Sequence, residues 1–236
     1  MMINGTKMKK NGKLFLSFLL VIISLGLMSC SIVSPTFSSN ELSNHLNEST
    51  LSYNELINHQ PVIILSEYED SKFSQVNASF YVSSNKNDAF RIISDLSLST
   101  QWFDRLKSID TLVFEDNNNF VLRTIISSPW PFKNRELITC VNTQFMDAST
   151  IITIENCPTK HPETTELVRI QHANSLWTIT SIPNNQQLSS GKYLTKISYQ
   201  AWLEPDGYVP AFFFNQSLKD SSLKSLIALK QLIENT

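Results

Sequence analysis

Side chains that could carry out chemistry are few and widely spaced in this sequence. The four histidines, His45, His59, His161 and His172, form no H-x-x-x-H pair. Cys157 and His161 have a spacing that a metal could use, but no second pair stands nearby in the sequence to complete a tetrahedral site. We therefore predict no metal site and no catalytic histidine.

The glycine-rich loops and nucleophile turns of many enzymes are also missing from the sequence. Beyond residue 30 the only glycines are Gly191 and Gly207, too few for a phosphate cradle or a dinucleotide fingerprint. No G-x-S-x-G motif occurs. We predict no cofactor and no catalytic residue, so the composition favours a binding protein over an enzyme.

Two cysteines flank a predicted hairpin. If the chain turns at Ala148 and Ser149, the two strands pair so that the numbers of facing residues add up to 297. Cys140 then faces Cys157. Their Cβ atoms would be close enough for a disulfide, which export past the membrane would permit. We predict this disulfide. Two buried free thiols are the alternative, because a register slip of one residue removes the pairing.

The N-terminus has the pattern of an export signal. Four lysines precede residues 14–28, an uncharged apolar run that is shorter than the roughly 20 residues of a membrane span and has the length of a signal-peptide core. The run ends in Leu27-Met28-Ser29-Cys30, which resembles a bacterial lipobox. We predict removal of residues 1–29 and lipid attachment at Cys30. An ordinary cleaved signal or an uncleaved anchor is the alternative.

A lipid on Cys30 would place the protein in the bacterial cell envelope. Ser31 follows the cysteine, so outer-membrane anchorage at the periplasmic face is the default for a Gram-negative source. Residues 30–50 are rich in Ser and Asn and are predicted to be a flexible tether. The processed chain carries 15 basic and 21 acidic residues and no basic run, which argues against nucleic acid. We expect a monomer.

Residues 51–236 are predicted to form one α+β domain. Ser52 and Glu55 form a capping box for a helix at 52–59. Asn87 or Asp88 can cap a second helix, and a further helical turn is predicted over residues 100–106. The last helix is predicted over residues 209–235, with Lys230 at the edge of its apolar face. Period-2 patterns and turn residues predict eight strands, at 62–67, 73–83, 109–115, 120–127, 136–145, 151–157, 166–182 and 193–204.

A stiff aromatic loop separates two of these strands. Residues 129–135 read Pro-Trp-Pro-Phe-Lys-Asn-Arg, and the two prolines prevent either strand from continuing. This segment resembles the W-P-F-x-x-R element of START domains, the lipid-transfer modules of the helix-grip superfamily. The stretch from Asp95 to Asp104, with Trp102, is similar to a second element of that family. Residues 204–210 are similar to its D-P-G-G-x-x-P element, with Glu204 and Asp206 as departures.

The resemblance covers most of residues 60–235 and implies a helix-grip fold, a curved antiparallel β-sheet wrapped around a long C-terminal α-helix. It also implies binding, and possibly transfer or sensing, of a lipid or other hydrophobic small molecule in an enclosed cavity. Two other functions stay open. Related helix-grip proteins include polyketide-cyclase-like enzymes, and an envelope protein-interaction module with a vestigial cavity would have the same composition.

Candidate binding residues come from both the pattern and the resemblance. The odd-numbered residues of 193–203, which include Tyr199, are assigned to the inner face of the sheet. A mixed lining of aromatic, aliphatic and polar groups suits an amphipathic ligand, although the same residues could fill a solid core. The candidate cavity and gate residues are Trp102, Arg123, Trp130, Phe132, Trp177, Tyr199, Phe212 and Phe213.

The roles of the arginines and of the gate follow from the family resemblance. It implies a buried charge near the cavity floor, for which Arg123 is the candidate, paired with Glu136 or Glu155 if it points inward. An outward-facing Arg123 is equally compatible with the sequence. Arg135 is expected to brace the aromatic loop and not to bind ligand. At least one of the three phenylalanines at 212–214 is expected to point into the cavity mouth, opposite Trp130 and Phe132.

Overall fold

Nine strands and four α-helices make up residues 51–183 and 193–236, the part of the chain that the computed structural model describes. The predicted signal segment, Cys30 and the tether lie outside these residues. The helices are α1 (Tyr53–Asn58), α2 (Lys86–Ser94), α3 (Ser99–Trp102) and α4 (Ala211–Glu234). The strands are β1 (Val62–Tyr68), β2 (Ser71–Val82), β3 (Leu106–Phe114), β4 (Asn119–Ile126), β5 (Arg135–Phe145), β6 (Ser149–Asn156), β7 (Val168–Arg169), β8 (Ala173–Ser181) and β9 (Thr195–Leu203).

The strands form one open sheet in the order β1-β2-β9-β8-β6-β5-β4-β3. All of these neighbours are antiparallel, and the short strand β7 adds a parallel pairing to β5. The single strand predicted over residues 166–182 is therefore two strands. The chain leaves the ladder between them at Gln171, whose backbone N–H donates to the Asp206 carboxylate at 2.7 Å instead of to a neighbouring strand.

The β5–β6 hairpin has a different register from the predicted one. Cys140 pairs with Glu155, and the turn is closed by a hydrogen bond from Met146 N to Ser149 O. Cys157 lies just beyond β6, two residues after Glu155, which is the residue opposite Cys140. The shift by two residues keeps both cysteines on one face of the sheet, because side chains alternate with period 2. Their sulfurs are bonded, with the Cα atoms 5.8 Å apart.

Two helix boundaries also differ from the prediction. The side chain that caps α2 belongs to Asn85, which accepts from Asp88 N at 2.9 Å, and not to Asn87 or Asp88. The helical turn predicted over 100–106 ends at Trp102, because the next residue, Phe103, already has extended backbone angles (φ −81°, ψ 105°). Arg105, with a positive φ of 62°, then turns the chain into β3. The predicted capping box of α1 is present, with the Glu55 carboxylate accepting from Ser52 N at 2.7 Å.

The core lies between the inner face of the sheet and α4, which packs against β2, α2 and α3. Leu226 and Leu229 of the helix are fully buried there. Lys230, predicted at the edge of the apolar face, is only 5 % exposed, since its ammonium donates to Tyr81 O and forms an ion pair with Glu234 at 2.7 Å. Within the described residues, no helix has the length and apolar character needed to cross a membrane.

Candidate functional site: a cavity beneath the C-terminal helix

A cavity of about 560 Å³ lies between the sheet and α4. Strands β4, β5 and β9 each present alternate residues to it, as the period of a strand requires. Tyr199 and Ala201 of β9 are among them, so the odd-numbered residues of that strand face inward as predicted. The apolar residues that line it from β4, β5 and β6 are Phe120, Leu122, Ile126, Leu137, Val141, Ile152 and Ile154.

Three predicted site residues meet in an aromatic cluster on the cavity wall. The Trp102 ring of α3 lies 6.1 Å from the Trp177 ring of β8, and Trp177 lies 4.3 Å from Tyr199 of β9. The indole Nε1 of Trp102 is buried and has no hydrogen-bond partner among the described residues. Burial raises the pKa of Tyr199 to about 12, so its phenol is protonated at neutral pH and can donate a hydrogen bond.

Residues 127–134, the aromatic loop, and the start of α4 both contribute to the cavity wall. The Phe132 ring lies 6.2 Å from the Phe213 ring, and both residues line the cavity. The loop is closed on itself by a hydrogen bond from Phe132 N to Pro129 O at 2.9 Å. The predicted contact between this loop and the last helix is therefore made by Phe132 of the loop and Phe213 of α4.

Trp130 and Phe212 differ from the predicted arrangement. Trp130 is 92 % exposed and Phe212 is 82 % exposed, and neither lines the cavity. The reason is local geometry, since a tight turn and a helix start each direct neighbouring side chains apart. Tyr208, in the turn before α4, is 94 % exposed as well. We call Trp130, Tyr208 and Phe212 the aromatic rim.

Arg135 braces the loop, as its match to the family motif implied. Its guanidinium donates to Lys133 O at 2.7 Å and to the Ser128 hydroxyl at 3.1 Å within the loop. It also donates to Pro205 O at 3.2 Å and to Asp206 O at 3.3 Å in the turn that leads into α4. Burial lowers the pKa of Arg135, partly offset by the charge of Asp206. One side chain thus ties the loop to the helix entry.

The departure at Asp206 has a structural role. Asp206 has φ 46° and Gly207 has φ 69°, so both residues of this turn occupy the left-handed region. Asp tolerates that region better than most residues because its short side chain bonds locally. Here the carboxylate bonds Gln171 N, which a glycine at this position could not do.

Arg123 does not line the cavity. It lies on the outer face of β4, where its Nε donates to the fully buried Glu136 carboxylate at 2.6 Å. Arg169 of β7 donates to the other carboxylate oxygen at 2.8 Å. Desolvation raises the pKa of Glu136, but the hydrogen bonds and charges of the two arginines outweigh it, and the net pKa is below the usual value. Arg123 therefore belongs to a structural ion triad on the outer face of the sheet. It does not place a charge at the cavity floor, as the family resemblance had implied.

A row of serines on α4 was missed by the sequence interpretation. Ser217 accepts a hydrogen bond from Arg105 Nη1 at 2.9 Å, and Ser221 donates to Asp104 at 2.8 Å. Ser225 Oγ accepts from Asp104 N at 2.9 Å. These serines recur every four residues, which places them on one side of a helix, and that spacing was visible in the sequence.

The open nine-stranded sheet and its C-terminal helix form the START-like helix-grip fold. No protein-family model matches the chain. A curated relative, an uncharacterized protein of Pseudomonas aeruginosa, is 22% identical over 173 residues, which is 73% of this chain and 81% of the relative.

Three solved structures are similar in fold. A STAR-related lipid transfer protein from Xanthomonas axonopodis superposes with a TM-score of 0.63 at 19% identity, over 74% of this chain and 94% of that one. Human STARD10 gives 0.60 at 18% identity, over 74% and 69%. Human StAR-related lipid transfer protein 5 gives 0.58 at 13% identity, over 83% and 96%.

Proposed function

We propose that this protein binds a lipid or other hydrophobic small molecule in the cavity beneath α4, as a non-enzymatic carrier or sensor. The observation that supports it most is the 560 Å³ cavity itself, which lies within the range of about 300–1,000 Å³ typical of small-molecule sites. Its wall is predominantly apolar, so burial of a ligand would contribute about 25 cal/mol per Å² of apolar surface. The names of the similar structures, which denote lipid-transfer proteins, are consistent with this function.

The chemistry of the lining favours binding over catalysis. Among the described residues that line the cavity, Asp104 is the only carboxylate, and it is engaged by Ser221 and by Arg105. No histidine or cysteine belongs to that set. An acid–base pair of the kind that a cyclase would use is therefore not found among these residues.

Mass spectrometry of the purified protein tests the proposal. Organic extraction of protein isolated under gentle conditions should release a hydrophobic compound in a fixed ratio to protein, and a chain with the cavity filled should not carry it. Ala201→Phe, which adds a large side chain to the cavity wall, is the filling variant. Extraction of a chemically altered product would support an enzyme, whereas equal recovery from both chains would contradict binding in the cavity.

The second part of the proposal concerns location. Removal of residues 1–29, lipid attachment at Cys30 and a tether over residues 30–50 would hold the domain of residues 51–236 near a membrane of the bacterial envelope as a monomer. Supporting this are the apolar run and the lipobox-like residues at its end.

Metabolic labelling checks the anchor. A clickable fatty-acid analogue should label the wild-type protein, and Cys30→Ala should lose the label. The matched control is Ser29→Ala, which keeps a small residue before the cysteine and should be labelled normally. Labelling of Cys30→Ala at the wild-type level would rule out this attachment site.

The third part concerns ligand entry. The three residues of the aromatic rim lie within five positions of Phe132 or Phe213 in the sequence, and exposed aromatic side chains of this kind commonly mark an interaction surface. Trp and Tyr are favoured at the interface between lipid headgroups and hydrocarbon. We infer that the rim rests on a membrane while the aromatic loop and α4 separate to admit ligand.

Cross-linking tests the gate. In Phe132→Cys/Phe213→Cys, a short bismaleimide should join the loop to α4 and slow uptake of a hydrophobic fluorescent probe by tenfold or more. Cys140 and Cys157 are protected because they are joined to each other, and Cys30 is replaced by Ala in every chain used for this test. Each single-cysteine variant, treated with the same reagent, should take up the probe at the untreated rate. Unchanged uptake after complete cross-linking would show that the loop is only structural.

A further inference from the structure

One segment of the chain joins the disulfide to the aromatic loop. Residues 157–169, the 157–169 segment, run beside the first half of β5 from Cys157 to the end of β7. At the start of the segment, Cys157 is bonded to Cys140 and its N–H donates to Ile138 O at 2.8 Å. At the end of the segment, β7 pairs with the first two residues of β5. The segment is therefore fixed to β5 by a covalent bond at one end and by strand pairing at the other.

Between these two ends, polar contacts hold the segment. The guanidinium of Arg169 donates to the carbonyls of Pro158 and His161 at 2.7 and 2.8 Å and to that of Pro162 at 2.7 Å. Residues 162–166 are all exposed. A segment with few buried apolar contacts opens at a low cost in free energy. Without the disulfide, the first half of the segment would depend largely on hydrogen bonds from one side chain.

The same segment holds the aromatic loop. Val168 N donates to Asn134 O at 3.0 Å, and Lys133 Nζ donates to Thr165 O at 3.1 Å. Asn134 in turn closes the loop, since its side-chain oxygen accepts from Ser128 N at 3.1 Å. The second half of the loop is therefore attached to the 157–169 segment through both backbone and side chain.

These attachments lie next to the cavity wall. Phe132, which contacts Phe213 and lines the cavity, directly precedes Lys133 in the chain. Ile170, the residue after the segment, is fully buried and also lines the cavity. Loosening of the segment would therefore release the part of the loop that carries Phe132.

The disulfide itself can be reached from outside. Cys140 and Cys157 are both half-buried. Cys140 also lines a surface cleft on the outer face of the sheet, whose other residues include the exposed Gln144 and Glu155. Access of this kind is what a thiol needs in order to exchange with a disulfide.

Building on the proposed function, we propose that the Cys140–Cys157 disulfide controls the rate at which the cavity exchanges its ligand. In the oxidised protein the 157–169 segment holds the aromatic loop against α4. When the bond is reduced, the segment loosens and the loop opens more often. Entry and exit of ligand both become faster, so the equilibrium affinity changes little.

The reaction that switches the protein is a two-electron thiol–disulfide exchange with a dithiol reductant. A thiolate of the reductant attacks one sulfur of the disulfide and displaces the other, which takes up a proton. The second thiol of the reductant then attacks the mixed disulfide and releases the remaining protein thiol. The protein gains two thiols, and the reductant leaves as a disulfide.

Release of diphenylhexatriene tests this proposal. The full chain with Cys30→Ala is loaded with the probe and mixed with excess phosphatidylcholine vesicles that contain an NBD-labelled lipid as energy-transfer acceptor. Reduction by dithiothreitol, followed by thiol counting, should speed release about fivefold or more and should change the affinity by less than about twofold. Equal release rates before and after complete reduction would overturn the proposal.

Two variants separate this effect from a general loss of stability. Cys140→Ser/Cys157→Ser should release the probe at the reduced rate with or without dithiothreitol. Leu56→Ala removes a buried side chain outside the cavity, the loop and the segment, so it should destabilise the fold and leave release within about twofold. Release from Leu56→Ala as fast as from the reduced protein would overturn the coupling. If the serine variant does not fold, oxidised and reduced chains of unchanged sequence still give the comparison.

A cross-linked chain shows whether the effect passes through the loop. In Phe132→Cys/Phe213→Cys joined by a bismaleimide, dithiothreitol should leave the slow release unchanged. Acceleration as large as in the chain without the cross-link would contradict control through the loop. If neither the oxidised nor the reduced chain binds diphenylhexatriene, the proposed function is wrong and this proposal is wrong with it. Normal binding with equal release rates would overturn this proposal alone.

Discussion

Replacing Glu136 by Gln should lower the free energy of unfolding by about 3–5 kcal/mol, because it leaves two arginines next to a neutral group in a buried site. Glu136 is fully buried, and the Arg169 side chain is 5 % exposed. Removing one member of such a triad costs far more than the net stabilisation from the whole triad, since the remaining charges stay desolvated. Chemical denaturation of the wild type and the variant measures the difference.

A matched control is available on the adjacent strand. Glu155 lies on β6, is exposed and forms no ion pair with another described residue, so Glu155→Gln should change the unfolding free energy by no more than about 0.5 kcal/mol. An equally small change for Glu136→Gln would show that the triad contributes little. Circular dichroism near neutral pH would confirm that each variant folds before stabilities are compared.

The pH dependence of stability should also differ between the wild type and Glu136→Gln. The pKa of Glu136 is lower in the folded protein than in the unfolded chain. Its contribution is therefore complete above the unfolded pKa of about 4.3 and declines as the pH falls through the folded pKa, because the unfolded state takes up the proton first. Wild-type stability should fall more steeply than that of Glu136→Gln below this pH. Parallel curves would contradict the lowered pKa.

Replacing Cys140 and Cys157 together by Ser should cost about 3 kcal/mol of stability in the oxidised protein, since the disulfide closes a loop with a sequence separation of 17. Most of that loss comes from greater freedom of the unfolded chain in the loop-entropy account. The bond also fixes the start of residues 157–169, which cover Glu136 and bond to Arg169 through their carbonyls.

Reduction provides the control for the disulfide. A reductant should destabilise the wild type to about the level of Cys140→Ser/Cys157→Ser and should leave that variant unchanged. Hydrophobic-probe affinity should change much less than stability in either comparison, because the bond lies on the outer face, away from the cavity. Equal unfolding free energies for the oxidised wild type and the variant would show that the bond has no net stabilising effect.

Much of the fold could be predicted because several independent patterns agreed. Alternation along β9 placed Tyr199 on the inner face, and the resemblance of residues 129–135 and 204–210 to the family motifs predicted the order of strands and the terminal helix. The cysteines show how an error can be harmless. The hairpin register was wrong by two residues, but a shift by an even number keeps side chains on the same face, so the two sulfurs still meet.

The orientation of Arg123 could not be predicted, because its strand carries apolar residues on both faces. Val121 and Leu122, which point in opposite directions, are both buried, at 3 % and 6 % exposure. Strand periodicity gives no direction in such a run. The outer face is buried by residues 157–169, which lie more than 30 positions later in the sequence than Arg123. The local sequence pattern of the strand does not predict this burial.

The exposure of Trp130 was missed for a different reason. Large aromatic side chains are usually buried, and that tendency led to an expected contact with α4. The contact belongs to Phe132 instead. Which of two aromatics in a tight proline-containing turn points inward depends on the backbone conformation, which residue types alone do not define.

The two faces of β4 and β5 have different roles, and this affects how the ligand preference of the domain can change by mutation. Alternate residues of the same strands contribute either to the cavity wall or to the ion triad and disulfide behind it. Mutations at the cavity positions can therefore change which compound is accepted while the ion triad and the disulfide, whose disruption is costly, stay intact. A combinatorial library confined to Leu122, Thr124, Leu137 and Thr139 should retain a high proportion of folded members with altered preferences, whereas a library at the intervening positions should yield mostly unfolded chains.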